Sequence, residues 1–214
     1  MTWPAKKLGE IMKKQIANNN TIQIPVVSRD GSLVKRLSIV VSGDLDGVLD
    51  KESRLYLRLL ARLVDKSFDE YMVAKEYLIE EIKTKNKLAH RFNIINHLEN
   101  CINAINRAIK TFNSAIKADE SCINNFVSAN TIKKIKKLNV SSIRNRVEHI
   151  DEDIYKKKFK TGLFLDVDDE YRKICISGKC LLLSDLASTI ENYHNFVLEI
   201  FSNLPNRFEK GVYY

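Results

Sequence analysis

Hydrophobic positions recur every three or four residues along most of this chain. Leu57, Leu60, Val64, Phe68, Tyr71, Ala74, Leu78 and Ile82 form one such stripe; Leu88, Phe92, Ile95, Leu98, Ile102, Ile105, Ile109 and Phe112 form a second, from about Lys87 to Lys117. Between Val48 and Thr161 there is neither Gly nor Pro, so helix can run with only short polar connections. The spacing therefore predicts two long antiparallel helices, half of a bundle. A shorter helical piece is expected within residues 118–138. A further short helix is expected from Asn139 to Ile154, with Ile143, Val147, Ile150 and Ile154 as its inward face and Asn139, Ser141 or Ser142 as its cap. The last helix carries Leu186, Ile190, Tyr193, Val197, Ile200, Phe201 and Leu204, with Ser184 as cap, Asp185 near the positive dipole end, Pro205 as the stop and His194 beside the stripe.

Two stretches break this rhythm. Thr21 to Val27 and Leu33 to Val41 alternate or run apolar around Arg29-Asp30-Gly31, which reads as an N-terminal β-hairpin, preceded by a short basic helix over residues 5–17. Leu163, Leu165 and Val167 alternate, Asp168-Asp169-Glu170 turns, Tyr171 to Ile176 returns and Ser177-Gly178 turns again, a small hairpin before the last helix. The fold class is mainly α: a helical bundle with small β-hairpin additions. Gly43 and Gly47 separate an N-terminal extension, residues 1–47, from the helical domain, residues 48–214.

Composition adds a partner. The 214 residues are 44% hydrophobic and 29% charged, as in soluble globular proteins, and the net charge of +8 suits a polyanion. Cys101, Cys122, Cys175 and Cys180 make no C-x-x-C pair and no zinc spacing with His, so a reduced, cytoplasmic chain is expected. No stretch has the pattern of a signal peptide or a membrane span. Two basic clusters, Lys133, Lys134, Lys136 and Lys137, then Lys156, Lys157, Lys158 and Lys160, flank the Asn139–Ile154 segment and are candidate phosphate contacts together with Arg146.

That segment also holds the candidate chemistry. Asn145 and His149 fall about 40° apart on the outer side of the helix and Arg144 about 100° from Asn145. A cation, an amide and an imidazole on one wet face can bind, orient and exchange a proton with a phosphodiester. The same face also reads as a solvated ladder of ion pairs, with Arg144 and Glu148 at i, i+4. The acidic run Asp166, Asp168, Asp169 and Glu170 reads either as a polar turn or as a magnesium site.

Arg144, Asn145 and His149 spell R-N-x-x-x-H, which resembles the signature of the HEPN superfamily, helical bundles of which many are metal-independent ribonucleases. A second, looser pair, Arg91 with His97, has Phe92 where the polar companion should follow the Arg. Membership would imply RNA cleavage through a 2′,3′-cyclic phosphate, with catalytic Arg144, Asn145 and His149, a supporting Glu148 and no metal or cofactor. It would also imply a homodimer and a role as a toxin or phage-defence effector, with an antitoxin protein as a candidate partner. Asp151 stands where members silenced by a nucleotidyltransferase antitoxin carry the modified Tyr. A non-catalytic HEPN-like module that binds RNA or protein is the alternative.

Overall fold

The computed structural model describes residues 24–36, 49–84, 87–118, 126–136, 140, 143–145, 155–156, 166–168, 170–176 and 179–204. In chain order the elements are α1 (Leu33–Arg36), α2 (Lys51–Thr84), α3 (Lys87–Ala118), α4 (Ala129–Lys136), β1 (Asp166–Val167), β2 (Lys173–Ile176), β3 (Lys179–Leu182) and α5 (Leu183–Asn203). The described residues are mainly helical, with one small antiparallel sheet among them in the order β1-β2-β3.

Helices α2 and α3 are the expected antiparallel pair. Glu81 meets Arg91 at one end, Glu70 meets His97 further along, and Leu57, Leu60, Thr111 and Ala115 line one cleft at the other end. Asp50 starts α2 by accepting the Ser53 amide at 2.8 Å, which satisfies an otherwise free N–H of the first turn. Helix α5 closes the core: Phe112 of α3 stands edge-on to Tyr193 and Phe196, with centroids at 6.1 and 4.9 Å. Its expected stripe is buried from Leu186 to Leu204. Helix α4 is tied to it by Glu199, whose two oxygens accept the Ser128 amide and the Thr131 hydroxyl, each at 2.9 Å. No described helix is long and apolar enough to cross a membrane.

The structure corrects the sequence in five places. The N-terminal hairpin is absent from the described residues: beyond the bend at Asp30 and Gly31 (φ +76°), Leu33–Arg36 is a helical turn. The cause is Asp65, a buried carboxylate of α2 that accepts the Leu33 and Val34 amides at 3.1 and 2.9 Å and the Ser32 hydroxyl at 2.5 Å. A helix N-terminus presents its free N–H groups to one carboxylate in a way that an edge strand does not. Residues 24–36 thus form a strap over α2 and α5, with the Tyr71 hydroxyl donating to the Pro25 carbonyl at 2.8 Å and Ser28 to Glu191 at 2.7 Å. Arg29 lies over the Phe68 ring at 3.9 Å and pairs with Asp69 at 3.0 Å.

The stripes of α2 and α3 are interrupted near their connection. Ile82 and Phe92 face outward, 36% and 52% exposed, while Glu81 and Arg91 are buried. Arg91 Nη2 lies 3.5 Å from Glu81, its Nη1 donates to the Val167 carbonyl at 2.9 Å, and its Nε lies 3.5 Å from Asp166. The Tyr171 hydroxyl donates to Glu81 at 3.0 Å. This polar network fastens the sheet to the helix pair, a demand that hydrophobic periodicity does not register.

The predicted strand and return pair as β1 and β2, and the chain adds a third strand beyond Ser177-Gly178. Asp168 shapes the first turn by accepting the Arg172 and Lys173 amides at 2.6 and 2.9 Å. In the second hairpin Cys175 stands opposite Cys180, and the two form a disulfide, contrary to the expectation of reduced thiols. Cys101 is buried and free; burial, then the charge of Glu70, pushes its thiol pKa upward, away from nucleophilic chemistry. Finally, Ser184 does not cap α5. The helix leaves β3 directly, Leu182 occupies the cap position without a side-chain bond, and the Leu183 amide donates to the Arg172 carbonyl at 2.8 Å, while Asp185 keeps its place in the first turn.

His194 of α5 is fully buried, and among the described residues neither ring nitrogen has a hydrogen-bond partner. Its charged surroundings are Asp65 of α2 and Arg29, Asp30 and Arg36 of the strap, and burial holds its pKa below the ordinary value. The unfolded chain therefore binds a proton that the folded one refuses. Stability should be insensitive to His194 above about pH 6.5 and fall by up to about 1.4 kcal/mol per unit as pH drops below it. Urea titrations at neutral and mildly acidic pH check this: His194→Phe should flatten the dependence, and an equally steep loss in that variant would assign it elsewhere.

Candidate active site at the Arg144 turn

Val140 and Ile143 are the inward residues, 1% and 0% exposed, and belong to the same core as Ile135 of α4. The Arg144 amide donates to the Val140 carbonyl at 3.3 Å, and residues 143–145 are helical, as the spacing predicts. With Ile143 turned inward, the next two side chains are carried outward. Arg144 is half-buried and Asn145 exposed, and Arg144 Nη1 donates to Asn145 Oδ1 at 3.5 Å. At that distance the bond is weak, so the exposed Asn145 amide can turn to a phosphate oxygen. His149, Glu148 and Arg146, with the apolar positions Val147, Ile150 and Ile154, lie outside the described residues.

Among the candidate RNA contacts, Lys133 and Lys134 are exposed on α4, opposite the buried Ile135, and Lys156 is exposed beside Tyr155. Lys136 lies in α4, but its side chain is outside the description, as are Lys137, Lys157 and Lys158.

Arg91 and His97 do not converge. Arg91 is committed to the sheet network, whereas His97 Nδ1 sits 2.7 Å from Glu70 Oε2, and its ring stacks on Tyr77 at 5.7 Å. The acidic run is also divided: Asp166 faces Arg91 and Asp168 serves its own turn. No group of His, Cys, Asp or Glu among the described residues could hold a metal ion.

Sequence reasoning missed the Glu81–Arg91–Tyr171 network and the Glu70–His97 pair. A signal for the first was present: Glu81 and Arg91 both fall in phase with the buried stripes, with opposite charge and symmetrically about Asn86. The second left none, because Glu70 and His97 occupy positions that read as ordinary surface. Comparison with family models, curated proteins and solved structures returns no match to this chain.

Proposed function

We propose that this protein is a metal-independent RNA endonuclease of HEPN type, built around Arg144, Asn145 and His149. The supporting observation is the outward pairing of Arg144 and Asn145 on a helical turn whose preceding residue, Ile143, is anchored in the core. In this reading the ribose 2′-hydroxyl attacks the adjacent phosphorus, the 2′-O–P bond forms and the P–O5′ bond breaks. His149 takes the 2′ proton or supplies one to the leaving 5′ oxygen, roles for which imidazole is the usual side chain near neutral pH. Arg144 holds the phosphate through paired N–H donors as its charge develops, and Asn145 orients phosphate or imidazole. Glu148 holds Arg144 in place.

The working unit is a homodimer: two copies supply a base, an acid and two arginines to one phosphate, where a single chain offers one His of this kind. A toxin or phage-defence role with an antitoxin partner belongs to the same proposal. Incubation of the purified protein with total RNA, with and without EDTA, is the direct test. Cleavage in EDTA supports the proposal, cleavage lost in EDTA points to magnesium chemistry, and binding without cleavage points to a non-catalytic module.

Lys133, Lys134, Lys136 and Lys137, with Arg146, Lys156, Lys157 and Lys158, supply the phosphate contacts in this reading. Replacing the first four by Gln is expected to reduce the slope of log affinity against log salt by about 3 for single-stranded RNA, at about 0.7 per phosphate. Fluorescence titration over a range of salt reads the slope directly. An unchanged value would make the cluster a solvated connection.

A further inference from the structure

The outer face of α2 changes character along its length. From Lys51 to Lys66 it carries Lys51, Leu55, Leu59, Arg62 and Lys66, all exposed, with half-buried Arg54 and Arg58 alongside. Leu55 and Leu59 are 54% and 39% exposed. Spaced four apart, they form a ridge near the middle of a basic stripe roughly 22 Å long. Glu52 and Asp65 are the carboxylates of this half. Glu52 receives the Tyr56 hydroxyl, and Asp65 is buried under the strap. Among the described residues no carboxylate pairs with Lys51, Arg62 or Lys66. The stripe stops at Asp69, which Arg29 neutralises.

We infer that this stripe is a docking surface for an acidic amphipathic helix of another protein. Charge complementarity selects an acidic partner, and the leucine ridge selects what its middle must be. Two leucines bordered by Lys51, Arg58 and Arg62, with Glu52 as the one described carboxylate beside them, match a helix that brings an apolar groove with Glu or Asp along its rim, the charged rim excluding water from the apolar contact. A nucleic-acid track would set hydrogen-bond donors or flat rings between its cations, and leucine offers neither. A bilayer would need a broad apolar face to insert, whereas the broad apolar face of α2 is already spent on the core. A second copy meeting this face across a two-fold axis would set the same cations against one another. The inference is independent of the Arg144 proposal.

The test uses the full chain and a labelled synthetic helix of about 18 residues, with leucines four apart and Glu on both flanks. The controls are a Glu/Ser peptide of equal charge without leucines, a single-stranded RNA oligonucleotide, and vesicles of phosphatidylserine and phosphatidylcholine. Anisotropy should show saturable micromolar binding of the leucine peptide and weaker binding of the Glu/Ser peptide. Leu55→Ser with Leu59→Ser, and separately Arg62→Glu with Lys66→Glu, should each weaken it by about tenfold or more with an unchanged melting curve. Lys51→Glu, at the far end of the stripe, gives an independent reading if either pair lowers the melt. No saturable peptide binding, or binding indifferent to these changes, overturns the inference. So does RNA or vesicle binding that is tighter than the peptide's and lost in the same variants.

Discussion

Arg144→Ala is expected to lose RNA cleavage by a factor of about 10² to 10³ while the protein melts where the parent does. The rate loss is that of removing one preorganised donor from a developing phosphate charge. Stability should hold to within about 1 kcal/mol, because the turn is anchored in the core by the buried Val140 and Ile143. His149→Ala should be as inactive. Mixing the two inactive proteins then tests the dimer: if the site takes an Arg from one copy and a His from the other, cleavage should partly return. Full activity of either variant removes that residue from the chemistry. Sedimentation of a fully active monomer at assay concentration removes the dimer.

The largest effect on stability should come from Arg91→Ala, a loss of about 3–5 kcal/mol, the usual result of stripping one partner from a buried ion pair. Glu81 has no exposed side-chain surface, and among the described residues one of its carboxylate oxygens has no hydrogen-bond partner, so without Arg91 its charge keeps, of the described partners, the Tyr171 hydroxyl. Glu81→Ala should cost less, since Arg91 would retain the Val167 carbonyl and Asp166. Arg91→Met combined with Glu81→Leu should recover much of the loss, because no charge is then left buried. Urea unfolding of the four proteins settles the matter; a double variant no better than Arg91→Ala alone would mean that the sheet depends on those particular contacts.

Those two residues also mark how far the sequence could be read. The faces of α2, α3 and α5 were legible because an apolar stripe on a helix has one place to go, and Leu98, Ile102, Ile105 and Phe112 are indeed fully buried. The rule failed at Ile82 and Phe92, where a charge pair took the inward positions. It failed again at Leu33–Arg36, because the conformation of that segment is set by a carboxylate on another element and not by its own alternation. The cysteine pair was within reach: Cys175 and Cys180 stand symmetrically about the Ser177-Gly178 turn that the sequence announces, so the hairpin register alone places them face to face. At the candidate site, the inward Ile143 and the outward Arg144 and Asn145 were legible, since a buried residue in a helical turn fixes the directions of its neighbours.

The strap has a consequence for how the chain assembles as it leaves the ribosome. Its bond from Ser28 to Glu191 joins positions 163 residues apart, whereas its bonds to Asp65 and Tyr71 reach only 31 to 46 residues ahead. At about 5–20 residues per second, the carboxylate that holds α1 is made within seconds, and α5 follows roughly six to thirty seconds later. Ile24, Val27 and Leu33 can therefore settle on α2 early, but their cover over α5 is completed only when the last helix arrives. The first part of the core to be laid down is also among the last to be closed.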